Sequence, residues 1–587
     1  MGRLKHLLLF ALLCSNFQKV TAQQISSSNE KQNFYSDETV FLSTNTTTFV
    51  TGETLYYKLS CLKLSNKTPS NISKIAYVEL VDSDKKTVFK NKIYLENTNG
   101  QGDYFVPTTI KTGNYKLLGY TNWMLNQTVA PFFQIDIVII NPFQTAENQT
   151  AASNSTPNTA IGDTPMLPVQ QTQSVPTNDY LKLNLNKKAF ANREQVNINV
   201  ATLNEIAKNG NYSVSVRRLE DLPSTKQTSA EEFSKIVSKI EPINKGNKIT
   251  LPELRGEMIT GKITSKNNPN DIQNINIGLS IPGKTFAFKV VKTDKNGNFV
   301  FNLDKPYYNS AVNIQVIDDK RSNYTLVLDT PSTIDYSKLN FQPSINLTPA
   351  LSETLLNRSI ASQIENAYYS NKTDSILKTK SIPAFYEPVA KEYVLDDYTR
   401  FPTLKETAVE IVKEMYYEQK DKKYTLHLRD VSIYTQSPEP ALVLIDGLLL
   451  QDTNELFEYN MKNVSKISVI PGLYYLGPKA FNGLISFTTK TQDFVSKQSG
   501  SYILDASVLR PSIKKEYYTP DYTDKAKNER IPDYRYQLLW LPQLTLASTE
   551  NPISFYTSDV TGTFEISLEG FTDQGIPVSL KDTFEVQ

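Results

Sequence analysis

The chain holds few side chains able to do covalent or proton-transfer chemistry near neutral pH. Among 587 residues there are two His (His6, His427) and two Cys (Cys14, Cys61). His6 and Cys14 fall within residues 1–22, a leader-like segment, so one of each remains after its removal. That is too few for a Cys/His zinc site. Cys61 sits in the alternating run 55–62 (Leu-Tyr-Tyr-Lys-Leu-Ser-Cys-Leu) and reads as a buried structural thiol rather than a nucleophile. A Ser-His-Asp triad would have to use His427, which lies in the strand-like run 424–429 with no nucleophile motif nearby. Asp294-Lys295-Asn296-Gly297 could open a calcium loop, but the later Glu ligand is missing and a hairpin turn accounts for it better. Paired carboxylates of the glycosidase kind remain the one enzymatic route open. The expectation is no catalytic residue, no metal and no cofactor.

Lys+Arg is 62 and Asp+Glu 61, a net charge of +1, and no basic field suited to nucleic acid follows from that balance. The first 22 residues carry Arg3 and Lys5, an apolar run over 7–14, and Val20-Thr21-Ala22 at a cleavage position, which reads as a secretory signal peptide. Plain cleavage after Ala22 is the favoured reading. Its rival makes Cys14 a lipidated N-terminus, for which Leu13 is a poor preceding residue. No later stretch approaches the 18 or so apolar residues that a membrane-spanning helix needs. At about 100–200 residues per domain, the length calls for several domains.

Those domains must be mostly strands. Residues 34–143 hold about seven period-2 runs separated by Gly, Asn or Pro, the pattern of a β-sandwich. Trp123 reads as a core or strand-end anchor. Residues 144–178, rich in Thr, Asn, Gln, Pro and Ala, read as a flexible linker. Residues 179–225 supply three strands, too few to close a sandwich, and 536–587 supply about four more. The expectation is one sandwich split around a long insertion; the alternative is two separate β-units. Within the insertion, 350–382 carries Leu356, Ile360, Ile364 and Tyr368 four apart, an apolar stripe expected to pack on the insertion's own sheet, with a partner-binding helix as the rival. Thr403 and Glu406 mark a capping box, followed by Leu404, Ala408, Ile411 and Met415 at helical spacing.

Three resemblances attach to these segments. The run 49–57 (Phe-Val-Thr-Gly-Glu-Thr-Leu-Tyr-Tyr) and 113–124 with Asn122-Trp123-Met124 resemble an MG2-type macroglobulin domain of Bacteroidota-type envelope proteins, over 23–143. The Cys-x-Glu-Gln thioester of protease-trapping relatives is missing, since Leu62-Lys63-Leu64 follows Cys61. Residues 255–335, with Glu257 to Ile263 and the Asn296-Gly297 hairpin, resemble a carboxypeptidase regulatory-like β-sandwich, which has no catalytic role. Residues 401–491 are similar to the plug domain of TonB-dependent outer-membrane transporters. The Asp446-Gly447 turn, Tyr474-x-x-Gly477, and Asn482-Gly483 ahead of an Ile-x-x-Thr-Thr-Lys ending occur in the order of that family. A transporter barrel of about 22 strands would need several hundred residues, and 492–587 is far too short for it.

The fold expected is therefore mainly β: several Ig-like or macroglobulin-like β-sandwiches plus a small α+β plug-like domain. The parts are 1–22, 23–143, 144–178, 179–225 with 536–587, 255–335, a helical connector over 350–400, the plug-like 401–491, and a C-terminal β segment over 492–587. Among 33 Tyr, the group Tyr517, Tyr518, Tyr522, Tyr534 and Tyr536, interspersed with Pro and mixed charge, is the candidate surface loop for a partner, because Tyr gives contact area at low entropic cost. The resemblances imply an exported protein at the outer membrane, on its periplasmic or cell-surface face. They imply a non-enzymatic accessory or scaffold subunit whose partner is an outer-membrane β-barrel complex for assembly, secretion or uptake. The alternative is a glycan- or peptide-capturing component working with a TonB-dependent transporter.

Overall fold

The computed structural model describes residues 35–127, 132–144, 178–236, 249–342, 347–377, 382–430, 435–436, 440–523 and 530–587. The leader over 1–22 and nearly all of the 144–178 linker lie outside the described residues. The rest is mainly β, in many separate sheets.

The first sandwich faces a five-stranded sheet (Thr48–Val50, Phe133–Ile140, Gly113–Tyr120, Ile75–Val81, Thr87–Tyr94, in that order) against a three-stranded one (Thr39–Thr44, Thr54–Leu62, Asn99–Phe105). Period-2 alternation sends Leu42, Tyr57, Leu59, Cys61, Val78, Leu80, Leu117 and Ile137 inward, all fully buried. Trp123 opens a short 3-10 turn at a strand end.

The second sandwich is built from both halves of the chain. Gln195–Thr202 runs antiparallel to Glu550–Tyr556, with Ile198 opposite Ile553. Gly210–Arg218 lies between Gly562–Thr572 and Gln537–Leu544, with Val214 opposite Leu568 and Leu541. Neither half can bury its apolar face alone, so the intervening residues leave and return between two strands of one body. A short helix, Ala230–Lys235, with a Ser229/Glu232 capping box, wedges Phe233 against Phe41 of the first sandwich and Phe571 of the second.

The third sandwich pairs Glu257–Ser265 with Asn298–Leu303 and Tyr324–Leu328, over Asn276–Ile281, Ala287–Lys292 and Ala311–Val316. Its second sheet gains a fourth strand, Ile503–Ser507, antiparallel to Ala311–Val316. The Asp294 to Gly297 turn is a hairpin turn: the Asp294 carboxylate accepts the backbone N–H groups of Asn296 and Asn298.

The α+β unit holds a five-stranded sheet in the order Lys391–Val394, Val464–Ile470, Leu484–Thr489, Leu442–Ile445, Leu448–Leu449. Leu442–Ile445 and Leu484–Thr489 are parallel. Helix Leu404–Glu410, capped by Thr403 and Glu406 as expected, packs Leu404 and Ala408 into the core. The helix ends sooner than its apolar spacing suggests. Ile411 and Val412 are buried in the turn after it, and Met415 begins the strand Met415–Lys420.

Three expectations are corrected here. The stretch 492–587 is not one segment: Ile503–Ser507 completes the third sandwich, Lys515–Glu516 pairs with Ser375–Ile376, and the strands from Gln537 onward close the second sandwich. The α+β unit begins at Lys391–Val394 rather than 401, because its sheet needs that strand on its edge. The helix Ser352–Ala367 does not pack its apolar stripe. Leu356 is 58% exposed and Ile360 44%, while Arg358, Ser359, Ala361 and Ser362 are buried. It lies against the first and second sandwiches instead of the insertion's sheet. Small side chains let it approach closely, and Arg358 finds its carboxylates there.

Candidate functional site

The plug-like motif residues serve contacts inside the chain. Asp446 and Gly447 both take positive φ (+49° and +82°), the geometry of a two-residue hairpin turn joining Leu442–Ile445 to Leu448–Leu449. Asp446 is buried. Its carboxylate accepts the Thr489 backbone N–H (2.8 Å), the Thr489 hydroxyl (2.6 Å) and the Phe494 N–H (3.2 Å), fixing the exit of the adjacent strand. A Cβ on Gly447 would come within 2.3 Å of Phe286, and one on Gly477 within 2.4 Å of the Val290 carbonyl oxygen. Both positions therefore let the third sandwich press against the α+β unit, where Phe288, Val290, Tyr386, Leu444 and Leu484 form a shared core. Tyr474 packs half-buried at that core's edge, 6.4 Å from the Phe385 ring. The Gly483 carbonyl accepts the Leu442 N–H (2.9 Å), and Asn482 beside it is half-buried. Outward from this unit point Val409, Leu473 and Tyr475, the last 71% exposed.

The tyrosines grouped as a partner loop are placed differently from expectation. Tyr517 and Tyr536 are only 8% exposed. Tyr517 packs edge-on against Tyr56 of the first sandwich at 4.7 Å, so it holds domains together rather than facing a partner. The Tyr522 hydroxyl donates to Asp533 (2.8 Å), with the Arg193 guanidinium over its ring. The Tyr518 backbone N–H donates to Asp374 (3.0 Å). Tyr534 is 38% exposed. Apolar ring area close to two folded sandwiches is better buried than left in water, which sequence spacing alone does not show.

Tyr518, Tyr534 and Tyr536 do share one feature. They line a cleft of about 910 Å³ where the first sandwich, the second sandwich and helix Ser352–Ala367 meet. Its wall includes a buried ion-pair cluster that nothing in the sequence spacing announces. Arg358 donates from Nε (2.7 Å) and Nη2 (2.8 Å) to the Glu53 carboxylate, from Nη1 to Glu220 (2.8 Å), and from Nη2 to the Thr48 carbonyl (2.6 Å). Arg217 stands 3.5 Å from Glu53. Burial pushes Glu53 up, but Arg358 and Arg217 outweigh it and hold its carboxyl below the usual range. Burial leaves Glu220 raised. Arg218, partly exposed, stands 3.6 Å from Glu220, so each buried carboxylate of the cluster has guanidinium partners, which is how buried charge is tolerated. Glu53 stands in view in the sequence as a turn residue, but an Arg on a helix reads as a solvated face unless its partners, 305 and 138 positions away, are known.

The chemistry-bearing residues singled out by type lie elsewhere. Cys61 is fully buried in the first core, and burial, with Glu38 adding to it, pushes its thiol well up, so it is held as a neutral thiol. His427 is buried, stacked on Tyr416 at 5.1 Å, with Nε2 2.9 Å from the Thr425 hydroxyl oxygen. Among the described residues no group of three or more His, Cys, Asp or Glu is placed to hold a metal ion. No described helix is long and apolar enough to cross a membrane.

No family model matches the chain, and no curated protein matches it. Solved structures to which the chain is similar include a Salmonella alpha-2-macroglobulin, at 10% identity and a TM-score of 0.23, covering 94% of this chain and 39% of that one. The native conformation of the E. coli alpha-2-macroglobulin gives 9% identity, a TM-score of 0.23, and 94% and 40% coverage. The chain thus spans about two-fifths of the length of these neighbours. A marsupial T cell receptor matches at 8% identity and a TM-score of 0.12, over 50% of this chain and 70% of that one. Likeness of this size carries no argument about activity. What fold and site define is a class: a mainly β, multi-sandwich chain with interlocked domains and a cleft at their junction.

Proposed function

We propose that the protein is a non-enzymatic accessory subunit of an outer-membrane β-barrel complex in a bacterial envelope, acting as a fixed frame. The observation that carries this reading is the interlocking of its parts. One sandwich is closed by strands from both halves of the chain, and its insertion packs back through shared cores. Such a frame holds surfaces at set distances, which suits a docking role. The α+β unit, with its plug-like motif engaged internally, is the part we assign to the barrel. It offers Tyr475 on the hairpin Tyr474–Leu476 with Lys479–Phe481, and Leu473 just before it, where exposed apolar groups suit protein contact. A photo-crosslinking amino acid at Tyr475, introduced in the native host, is expected to capture a β-barrel protein. Capture of no envelope protein from that position, with the protein exported and folded, contradicts the reading.

A second reading, capture of a small ligand, is favoured by one observation. Four of the eight exposed aromatic side chains among the described residues (Phe105, Phe143, Tyr369, Tyr534) line the junction cleft.

A further inference from the structure

The cleft's chemistry narrows what it takes. Its volume of about 910 Å³ falls in the range of small-ligand sites, about 300–1,000 Å³. Phe105 (49% exposed), Phe143 (54%), Tyr369 (58%) and Tyr534 present ring area to it from separate elements: the end of strand Asn99–Phe105, the turn after Ile140, the end of helix Ser352–Ala367, and the loop before Gln537. Rings contributed by independent elements that are themselves locked together form a preset platform.

The charges along the wall are neutralised. Of the nine charged lining residues, Glu53 pairs with Arg358 and Arg217. Lys372 pairs with Glu365 at 2.7 Å, and Lys515 with Asp103 at 3.0 Å and Asp374 at 3.9 Å. Arg535 pairs with Asp533 at 2.7 Å. An anionic or cationic ligand would break one of these pairs to be met. Single-stranded nucleic acid, which also stacks on aromatic rings, needs a positive groove, and every cation among these lining residues is already committed to a carboxylate. The remaining polar lining is uncharged: Asn45, Thr54, Thr108, Gln363, Asn366 and Gln537. Thr51 and Ser362 belong to the lining too, with hydroxyls buried beneath its surface and without a hydrogen-bond partner among the described residues, and the exposed polar side chains of the lining are Thr108, Gln363 and Asn366.

Rings plus uncharged amides and hydroxyls match one ligand chemistry. A pyranose ring has an apolar face of C–H groups that lies on the electron-rich face of an aromatic ring, and a rim of hydroxyls that exchange hydrogen bonds with amides and hydroxyls. We infer that the junction cleft binds an uncharged oligosaccharide, stacked on Tyr369 and Tyr534 and bordered by Phe105 and Phe143. The inference rests on the ligand-capture reading above and is independent of the barrel partner.

The test is calorimetric titration of the full chain with maltohexaose, cellohexaose, xylohexaose and mannohexaose. An oligogalacturonate of the same length and a mixture of uncharged decapeptides serve as comparisons. Binding of at least one neutral hexasaccharide is expected with a Kd of about 10 μM to 1 mM. Tyr369→Ala and Tyr534→Ala remove partly exposed rings, so folding is expected to persist; together they should weaken binding by about tenfold or more. Binding unchanged in the double variant overturns the assignment of the cleft. Binding of the decapeptides in its place overturns the oligosaccharide while sparing ligand capture. Silence from every probe at about 5 mM overturns both. Co-recovery of a barrel protein should be the same with and without the two tyrosines.

Discussion

Arg358 is the residue on which most distant parts of the chain converge. It links a turn of the first sandwich, a strand end of the second and its own helix, all out of water. Replacing it with Met strips Glu53 and Glu220 of their hydrogen-bonded guanidinium and leaves only the longer contacts of Arg217 to Glu53 (3.5 Å) and of the partly exposed Arg218 to Glu220 (3.6 Å). The expected cost is about 3–5 kcal/mol, because an uncompensated buried charge is costlier than the pair was worth. Urea unfolding measures this, and the double variant R358M/E220Q, which leaves Glu53 beside Arg217, is expected to recover most of the loss. Other buried groups tie stability to pH. Lys58 is buried with no hydrogen-bond partner for its ammonium among the described residues, and burial pushes it down to about 7. The unfolded chain then binds more protons between pH 7 and its ordinary value near 10.4, so stability rises with pH across that window. The slope approaches about 1.4 kcal/mol per pH unit, and Lys58→Met is expected to remove it. Glu253 behaves oppositely. Burial raises its carboxyl to about 7, against the partial opposition of Lys92, so the folded chain binds more protons between about pH 4.5 and 7. Its contribution is lost as pH rises through that range, and Glu253→Gln removes its share of the slope there, while Glu569, raised by burial to about 7 as well, keeps its own. Stability profiles taken below and above pH 7 separate the two groups.

At the scale of elements, the split sandwich makes the clearest demand. Removing 536–587 strips Val196, Ile198, Val214 and Val216 of the strands that cover them. Residues 179–225 are then expected to become protease-sensitive while the first sandwich, with its own core, resists, as limited proteolysis followed by mass spectrometry would show. This pairing is legible in the sequence, because three period-2 runs at one end and four at the other are each too few and together enough. The strand alternation of the first and third sandwiches is equally readable, since burial on one face imposes the period. The helix Ser352–Ala367 is not. Its apolar stripe gives the usual sign of a packed face, yet Leu356 and Ile360 stay in water while Arg358, Ala361 and Ser362 go in. Periodicity records which residues are greasy. It is silent about a charge whose partners are far away in sequence. The Tyr517 to Tyr536 stretch misleads for the mirror reason: aromatic density marks contact, and here the contact is with Tyr56 and the chain's own carboxylates. The Asp446-Gly447 pair is readable as a hairpin turn, while the role of Gly447 and Gly477 in seating the unit on Phe286 and Val290 emerges only in three dimensions.

For the whole molecule, the shared cores between units, the out-and-back path of the chain and the ion-paired junction describe a frame that keeps its modules in fixed relation. The proposed function has this frame act by holding other molecules, at the α+β unit or in the junction cleft. The central claim is that its partner is a barrel embedded in the outer membrane. The most direct measurement is gentle solubilisation of native outer membranes, recovery of the protein through a C-terminal tag, and quantitative mass spectrometry of what accompanies it. The account predicts a β-barrel protein in stoichiometric amount. Recovery of the protein alone, or with no barrel partner, would contradict it.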